Sequence, residues 1–463
     1  MNTWVLGILI GFLGIVVIIL IAVGISQIVF YKQNIIPPTS CENTREFFDT
    51  IVNKTQWSCI KAGPWIVSDL TTCVEGKEQT CYYQNPTSPY TVPNFFFTTY
   101  PTFKNLPLKT QVLASLFTLE PNQLCILYGP TPPDCLYWGF TMYLFNDPEK
   151  CNNKVLFASL ADTVNNYNTN LPPNKPFCLV VGCNTETLDA FIDEAYNIIR
   201  LPFPYQGPEA QLQLLGRTAV FKNALAEQAY YEDTRSNVQI IQYYQDVDPL
   251  RTITEPYFAP RNSYYDEYDQ IVQFNIASEL YIEQVKRDFV EFPYIYPVPA
   301  ILYPYEDGYV CINECAACNG DNRDTVYFSA TPPYTLEANK QVVVVFGKNH
   351  STTGKAAYTN LSLYNSENDS GIASVDFLPG TDFYQVLVVY EMYEKPTDTT
   401  DEIIIPSNVH NIIVAERAYV QTLAPGGRVS TRGISATPET IIPPLVWVLS
   451  KTMLTTTIPA STQ

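Results

Sequence analysis

The chain has 463 residues, 46% of them hydrophobic and 16% charged, enough apolar material for more than one packed core. Its 46 acidic residues outnumber 27 basic ones, giving a net charge of −19. That balance repels phosphate backbones and excludes nucleic acid as the expected partner.

From Trp4 to Phe30 the chain carries no Asp, Glu, Lys or Arg. The run is longer than the core of a cleaved leader and lacks its basic n-region. It predicts a transmembrane anchor over 1–31, contacting the lipid bilayer through residues 4–30. Trp4 and Tyr31 bracket it as interfacial aromatics, roughly 40 Å apart along a helix. Gly7 and Gly11 form a GxxxG pair of the kind that lets membrane helices pack closely. Lys32 leans toward a cytosolic C-terminal side, whereas the cysteine content leans toward an oxidising space. A stiff linker over 32–40 follows, with Pro37 and Pro38 favouring extended geometry.

Beyond the linker we expect an α+β, mainly β chain. Residues 41–205 read as a Cys-rich mixed α/β domain with strands over 123–128, 136–145, 154–160 and 177–182. A helix is expected over 185–199, where Leu188, Phe191, Ile192 and Ala195 keep one face. Residues 206–306 read as a helical, Tyr/Pro-rich connection, with helices over 208–233 and 268–292. Its tyrosine-acid clusters and the run PYIYPVPAILYPY suit a partner-binding surface, because tyrosine is enriched at interfaces. Residues 307–450 read as an all-β domain, an antiparallel sandwich or jelly roll. Its strands are expected over 325–329, 341–346, 358–364, 372–377, 383–393, 402–405, 411–415 and 417–421. Residues 451–463 are a tail.

The twelve cysteines fall into an early group of nine and a late group of three. The early group is Cys41, Cys59, Cys73, Cys81, Cys125, Cys135, Cys151, Cys178 and Cys183. The late group is Cys311, Cys315 and Cys318. All are disulfide candidates. Both groups are odd in number, so if every cysteine is paired, at least one bridge must link the halves. Asn53, Asn349, Asn360 and Asn368 head N-x-Ser/Thr sequons and are glycosylation candidates.

Several stretches offer chemistry. Cys311, Cys315 and Cys318 have the C-x3-C-x2-C spacing of a cluster-binding loop and are the metal candidates, but a stapled loop is the expectation. The following NGDNRD, 319–324, offers oxygens that suit calcium without the spacing of an EF-hand. The segment 342–356 has a lysine after glycine but not the phosphate-loop pattern. The two histidines, His350 and His410, are the only candidates for a histidine base. No catalytic signature is found, so no enzyme activity and no cofactor are expected.

A single N-terminal anchor, WVLGILIGFLGIVVIILIAVGISQIVF, a short linker and an acidic Tyr/Pro/Cys-rich β region together resemble membrane-anchored virion proteins of large nucleocytoplasmic DNA viruses, among them minor capsid and envelope proteins. The resemblance implies a structural protein that docks a protein layer to a virion inner membrane or a host endoplasmic-reticulum-derived membrane. It also implies disulfides made on the cytosolic face by a virus-encoded relay, which would reconcile Lys32 with the cysteines. The alternative is a surface or lumenal protein that acts on or binds glycans.

Overall fold

The computed structural model describes residues 57–68, 81, 84, 85, 88, 90–95, 108–189, 197–237, 239–246, 253–254, 266–302, 308–332, 335–378, 380–391, 401–419 and 440–454. The expected anchor and linker, with Gly7, Gly11, Cys41, Asn53, Cys73 and most of the tail, lie outside them. Among the described residues no helix is long and apolar enough to cross a membrane.

The chain is mainly β, with several sheets and few helices. The first unit contains β1 (Trp57–Val67), β2 (Thr91–Pro93), β3 (Gln123–Pro130), β4 (Cys135–Asn146), β5 (Val155–Ser159), β6 (Val164–Asn165), β7 (Pro176–Gly182), β8 (Ile198–Pro202), β9 (Gln211–Phe221) and β10 (Gln239–Gln245). Helices α1 (Leu108–Ala114), α2 (Pro148–Cys151), α3 (Asn166–Thr169) and α4 (Thr185–Asp189) are short, and α5 (Ala224–Asn237) connects β9 to β10. The strands run in the order β5-β4-β9-β2-β1-β10-β3-β7-β8, with the short β6 against β4. Strand β1 serves both halves of this sheet. Trp57 to Pro64 pair with β10, and Trp65 to Val67 pair with β2. The sheet therefore folds over at Pro64, a residue with no N–H to give to a ladder. Its two halves meet face to face: Phe177 on β7 lies 5.6 Å from Phe140 and 6.2 Å from Trp138 on β4.

The second unit repeats this plan. Helix α6 (Ile271–Asp288) leads into β11 (Tyr294–Val298) and β12 (Ile301–Leu302), then α7 (Gly308–Glu314) and β13 (Thr325–Ala330). There follow β14 (Gln341–Lys348), β15 (Tyr358–Asn365), β16 (Ser370–Phe377), β17 (Phe383–Tyr390), β18 (Asp401–Ile405), β19 (Ile412–Tyr419) and β20 (Leu445–Ser450). One sheet runs β11-β20-β14-β17-β18 and the other β12-β13-β19-β15-β16. Strands β11 and β12 stand for the two halves of β1, with Pro299 between them where β1 has Pro64. Even the added edge strand recurs: β8 pairs parallel with β7, as β18 does with β17.

Side-chain alternation explains the second unit's core. On β14, Val343 and Val345 face the opposite sheet, where Leu361, Leu363, Ile412 and Val414 meet them. Val342, Val344 and Phe346 point the other way, onto Phe274, Tyr281 and Val285 of α6. Both faces of β14 are covered, so the strand reads QVVVVFGK instead of alternating.

Three sequence expectations change. The helix over 208–233 is instead β9 followed by α5. Both faces of β9 are buried, so its apolar residues form a run that fits a helical period as readily as a strand. The helix over 185–199 is described only as α4, and Ile198–Pro202 are a strand. The boundary at 206 falls inside a sheet, because β9 and β10 complete the first unit; β11, expected in the connection, belongs to the second. The first unit is thus built on one large sheet, with helices α1 to α5 between its strands. Removing the ring at Phe274, which packs 5.3 Å from Phe346, leaves a cavity between helix and sheet. Phe274→Ala is expected to cost about 3–4 kcal/mol in denaturant unfolding.

Candidate functional site

The most chemically dense region lies between the two units. The outer faces of the β2-β9-β4-β5 and β13-β19-β15-β16 layers are turned toward each other. Tyr137 and Ala219 from the first cluster with Ala357, Tyr358 and Tyr419 from the second. Tyr358 stacks on Tyr419 at 4.8 Å, and Tyr137 lies 5.2 Å from Tyr419.

Each layer sends one buried arginine into this space. Arg217 on β9 donates through Nη2 to the Gly320 carbonyl at 3.1 Å. It lies over the rings of Tyr90 at 4.7 Å and Tyr143 at 5.3 Å. Arg417 on β19 donates through Nη1 to Asn360 Oδ1 at 3.2 Å and Ser362 Oγ at 2.8 Å, and through Nη2 to the Tyr364 hydroxyl. Asn360 Nδ2 in turn donates to Asp376 Oδ1 at 2.7 Å.

The segment from α7 to β13 belongs to the second unit but lies on the first. Cys311, Ile312 and Cys318 are part of the first unit's core. The Cys318 and Gly320 amides donate to the Leu156 and Phe157 carbonyls at 2.7 and 2.8 Å, so the strap lies against edge strand β5. The approach leaves no room for side chains at two glycines. A Cβ at Gly308 would sit 2.1 Å from the Ser159 carbonyl oxygen, and one at Gly320, whose φ is +76°, 2.6 Å from the Phe157 ring. The Cys151–Cys315 disulfide fastens this strap to α2, and Cys311–Cys318 closes it on itself. Elsewhere the first unit reaches the second: the Cys81 amide donates to the Asn368 carbonyl at 2.7 Å.

The NGDNRD stretch has its side-chain oxygens engaged across the interface, with the exception of one Asp324 oxygen. Asp321 Oδ1 accepts from the Ser159 amide at 2.7 Å, and Oδ2 from the Ser159 hydroxyl. Asn322 Oδ1 accepts from Thr163 at 3.0 Å, and Arg323 pairs with Asp162 at 3.3 Å. Asp324 Oδ2 accepts from Tyr137 and Asn165, each at 2.9 Å, while its Oδ1 is buried without a partner. Burial raises the Asp324 pKa to about 7; bonds from Asn165 and Tyr137 only partly offset it, and nearby Asp162 raises it further. These residues fasten two units together and leave no calcium cradle.

Other candidates resolve as follows. Cys311, Cys315 and Cys318 are in disulfides and so are not metal ligands; no cluster among the described residues is arranged to hold a metal. Cys151–Cys315 supplies the bridge between the early and late groups. Cys59 and Cys81 are also disulfide-bonded. Full pairing does not hold: Cys125, Cys135, Cys178 and Cys183 are free thiols. Burial pushes each of these thiols up to about 12, which disfavours the nucleophilic thiolate form. Asn349 and Asn360 are 1% and 0% exposed, and Asn368 is 8% exposed. The amide of Asn349 donates to the carbonyls of Leu378 and Thr381. A glycan on Asn349 or Asn360 would therefore displace structure.

His410 is exposed. His350 is fully buried, with Nδ1 2.8 Å from Glu267 Oε2 and Nε2 3.0 Å from Glu416 Oε1. Burial alone would lower its pKa, but the two carboxylates outweigh burial and raise it to about 10. A protonated imidazole with both nitrogens engaged is no general base. It joins the turn before α6 to β19. In the phosphate-loop-like segment, Lys355 Nζ donates to Thr440 Oγ1 at 3.0 Å.

A cleft of about 400 Å³ opens beside the strap, within the usual size of a small-molecule site. Lys150, Pro204, Tyr205, Gln206, Tyr309 and Asn313 form much of its wall. The Tyr205 hydroxyl donates to Glu120 Oε2 at 2.9 Å, which fixes the ring. None of this cleft was evident from the sequence, since its wall is assembled from five separated segments.

No family model matches the chain, and no curated protein matches it. Among solved structures, an uncharacterised protein from Burkholderia cenocepacia aligns at 12% identity over 88% of this chain and 86% of that one, with a TM-score of 0.41. The VPA0106 protein from Vibrio parahaemolyticus aligns at 9% over 88% and 96%, with a TM-score of 0.38. The tandem CBM22 modules of Paenibacillus barcinonensis Xyn10C align at 10% over 86% and 93%, with a TM-score of 0.16. At these scores none carries an argument.

Two measurements check the interface. Peptide mapping under non-reducing conditions is expected to recover the 151–315 and 311–318 cross-links, free thiols at 125, 135, 178 and 183, and unglycosylated Asn349 and Asn360. The second concerns Asp324. Its folded pKa lies above the free value of 3.8, so the native state retains the proton between about pH 4 and 7. Stability is fullest below that window and falls as pH rises through it. Asp324→Asn should stabilise the protein increasingly between pH 5 and pH 8, by an amount on the order of a few kcal/mol at the upper end. An unchanged pH profile in chemical denaturation would contradict this.

Proposed function

We propose that the protein is a structural component that holds a protein layer at a membrane, in a virion or a virus-modified host membrane. The observation that carries this reading is the repeated strand order of the two units. Each order, β1-β10-β3-β7 with β2-β9-β4-β5, and β11-β20-β14-β17 with β13-β19-β15-β16, is that of a jelly roll. Jelly rolls recur in viral capsid shells and also in lectins. Two of them, fastened through a buried polar interface and the Cys151–Cys315 disulfide, make a rigid block. The apolar run 4–30 supplies the membrane attachment in this reading, and its resemblance to anchored virion proteins points the same way. Fold alone does not assign function, so the assignment depends on assembly behaviour. Full-length chain reconstituted in phospholipid vesicles is expected to form closed oligomers or ordered arrays by electron cryo-microscopy. Dispersed single copies at high surface density would overturn the proposal.

The cleft beside the strap favours a second reading, attachment to glycans. Aromatic Tyr205 and Tyr309 with the amides of Gln206 and Asn313 suit a sugar's apolar face and hydroxyls. None of its described lining residues is a carboxylate, which fits binding better than hydrolysis. Glycan binding that disappears in Tyr309→Ala would favour this reading over the first.

A further inference from the structure

The cleft beside the strap sets unbonded polar groups around an apolar floor. Leu160 and Ile312 line it while only 1% and 5% exposed, so they form its bottom. Tyr309 on α7, 47% exposed, stands at its rim, and the Tyr205 ring is held by its bond to Glu120. Thr254 is fixed through its amide, which donates to the Cys183 carbonyl at 2.9 Å. Its hydroxyl is nevertheless buried in the cleft wall without a partner. A buried polar atom left unbonded calls for a partner that the chain does not supply.

The other free groups have a definite sense. Gln206 uses Nε2 on the Pro204 carbonyl at 3.3 Å, which leaves Oε1 to accept. Lys150 Nζ can only donate, and among the described residues neither it nor the Asn313 amide is bonded. The cleft thus offers a charged donor, amide groups and an apolar floor. A secondary amide bearing a methyl group can use all three. Its carbonyl accepts from Lys150 or Asn313, its N–H donates to Gln206, and its methyl covers Leu160 and Ile312. A sugar without that substituent would set hydroxyls against the apolar floor. An anionic ligand fits poorly. Lys150 is the one cation of the described lining, and Glu120 and Glu149 lie close enough to Tyr205 to act on its hydroxyl.

We propose that the cleft binds a neutral 2-acetamido sugar at the end of a glycan chain. This rests on the second reading above and narrows it from glycans in general to N-acetylated hexosamines. The sugar's apolar face lies on the Tyr309 ring, and one of its hydroxyls partners Thr254.

The test is a titration by saturation-transfer NMR of the full chain in phospholipid nanodiscs, with N,N'-diacetylchitobiose and with cellobiose. These disaccharides share one skeleton and differ in whether acetamido groups replace the 2-hydroxyls. Diacetylchitobiose is expected to bind about tenfold tighter or more, the usual gain from an apolar group that fills its pocket. Gln206→Leu, which removes the acceptor, should leave the circular dichroism unchanged and bring the two affinities together. Equal affinities in the wild-type chain, both abolished by Tyr309→Ala, would overturn the acetamido assignment and leave the glycan reading standing. Binding of neither disaccharide would overturn the assignment, and silence across a panel of neutral and sialylated glycans would remove the glycan reading with it. Tighter binding of sialyllactose, or of a peptide carrying acetyl-lysine, would also overturn it.

Discussion

Two guanidinium groups, Arg217 and Arg417, lie buried between the jelly rolls, and the arrangement of the rest follows from how they are satisfied. A buried cation is costly unless its donors are engaged. Arg417 is served within its own layer, by Asn360, Ser362 and Tyr364. Arg217 depends on the other unit: the carbonyl it reaches belongs to Gly320. That carbonyl is held in place only while the strap lies along β5. The first unit's buried charge therefore requires the second unit's strap, and the strap requires Gly308, Gly320 and the Cys151–Cys315 bridge. Arg217 Nη1, Asp324 Oδ1 and the Tyr358 hydroxyl are buried there without a partner, but the bonds that are made tie specific groups of one unit to specific groups of the other, which favours one orientation.

The contact is reciprocal in chain logic. The strap leaves the second unit between β12 and β13 and covers the edge of the first. Between β1 and β2, Cys81 packs in the first unit's core and its amide meets the β15–β16 turn of the second. Equivalent connections of equivalent units thus reach across in opposite directions. The glutamate–histidine–glutamate group plays a smaller version of the same part, joining the turn before α6 to β19 through one protonated ring. Among the described residues, the buried charged groups named above join one element to another.

Much of the fold was legible in the sequence, for identifiable reasons. Strands such as β3, β4, β7, β14 and β15 are short apolar runs rich in β-branched and aromatic residues, and these were found within a residue or two. The odd counts of early and late cysteines pointed to a bridge between the halves, which is Cys151–Cys315. Strand β9 was misread because both of its faces are buried, so periodicity could not separate strand from helix. The duplication was not legible, since the two jelly rolls share topology and not spacing. Nor was the interface: Tyr90, Tyr137, Tyr143, Tyr327, Tyr364 and Tyr419 come from five separate segments. The free cysteines were not legible because nothing in their spacing separates Cys125, Cys178 and Cys183 from paired cysteines, and Cys151, Cys311 and Cys318 are buried as deeply.

The central claim is that the two jelly rolls form one cooperative block through the strap and the arginine–tyrosine interface. Scanning calorimetry of the full chain in detergent under oxidising conditions tests it most directly. The account predicts a single transition whose calorimetric and van't Hoff enthalpies agree. Two resolved transitions, one for each unit, in the oxidised chain would contradict it.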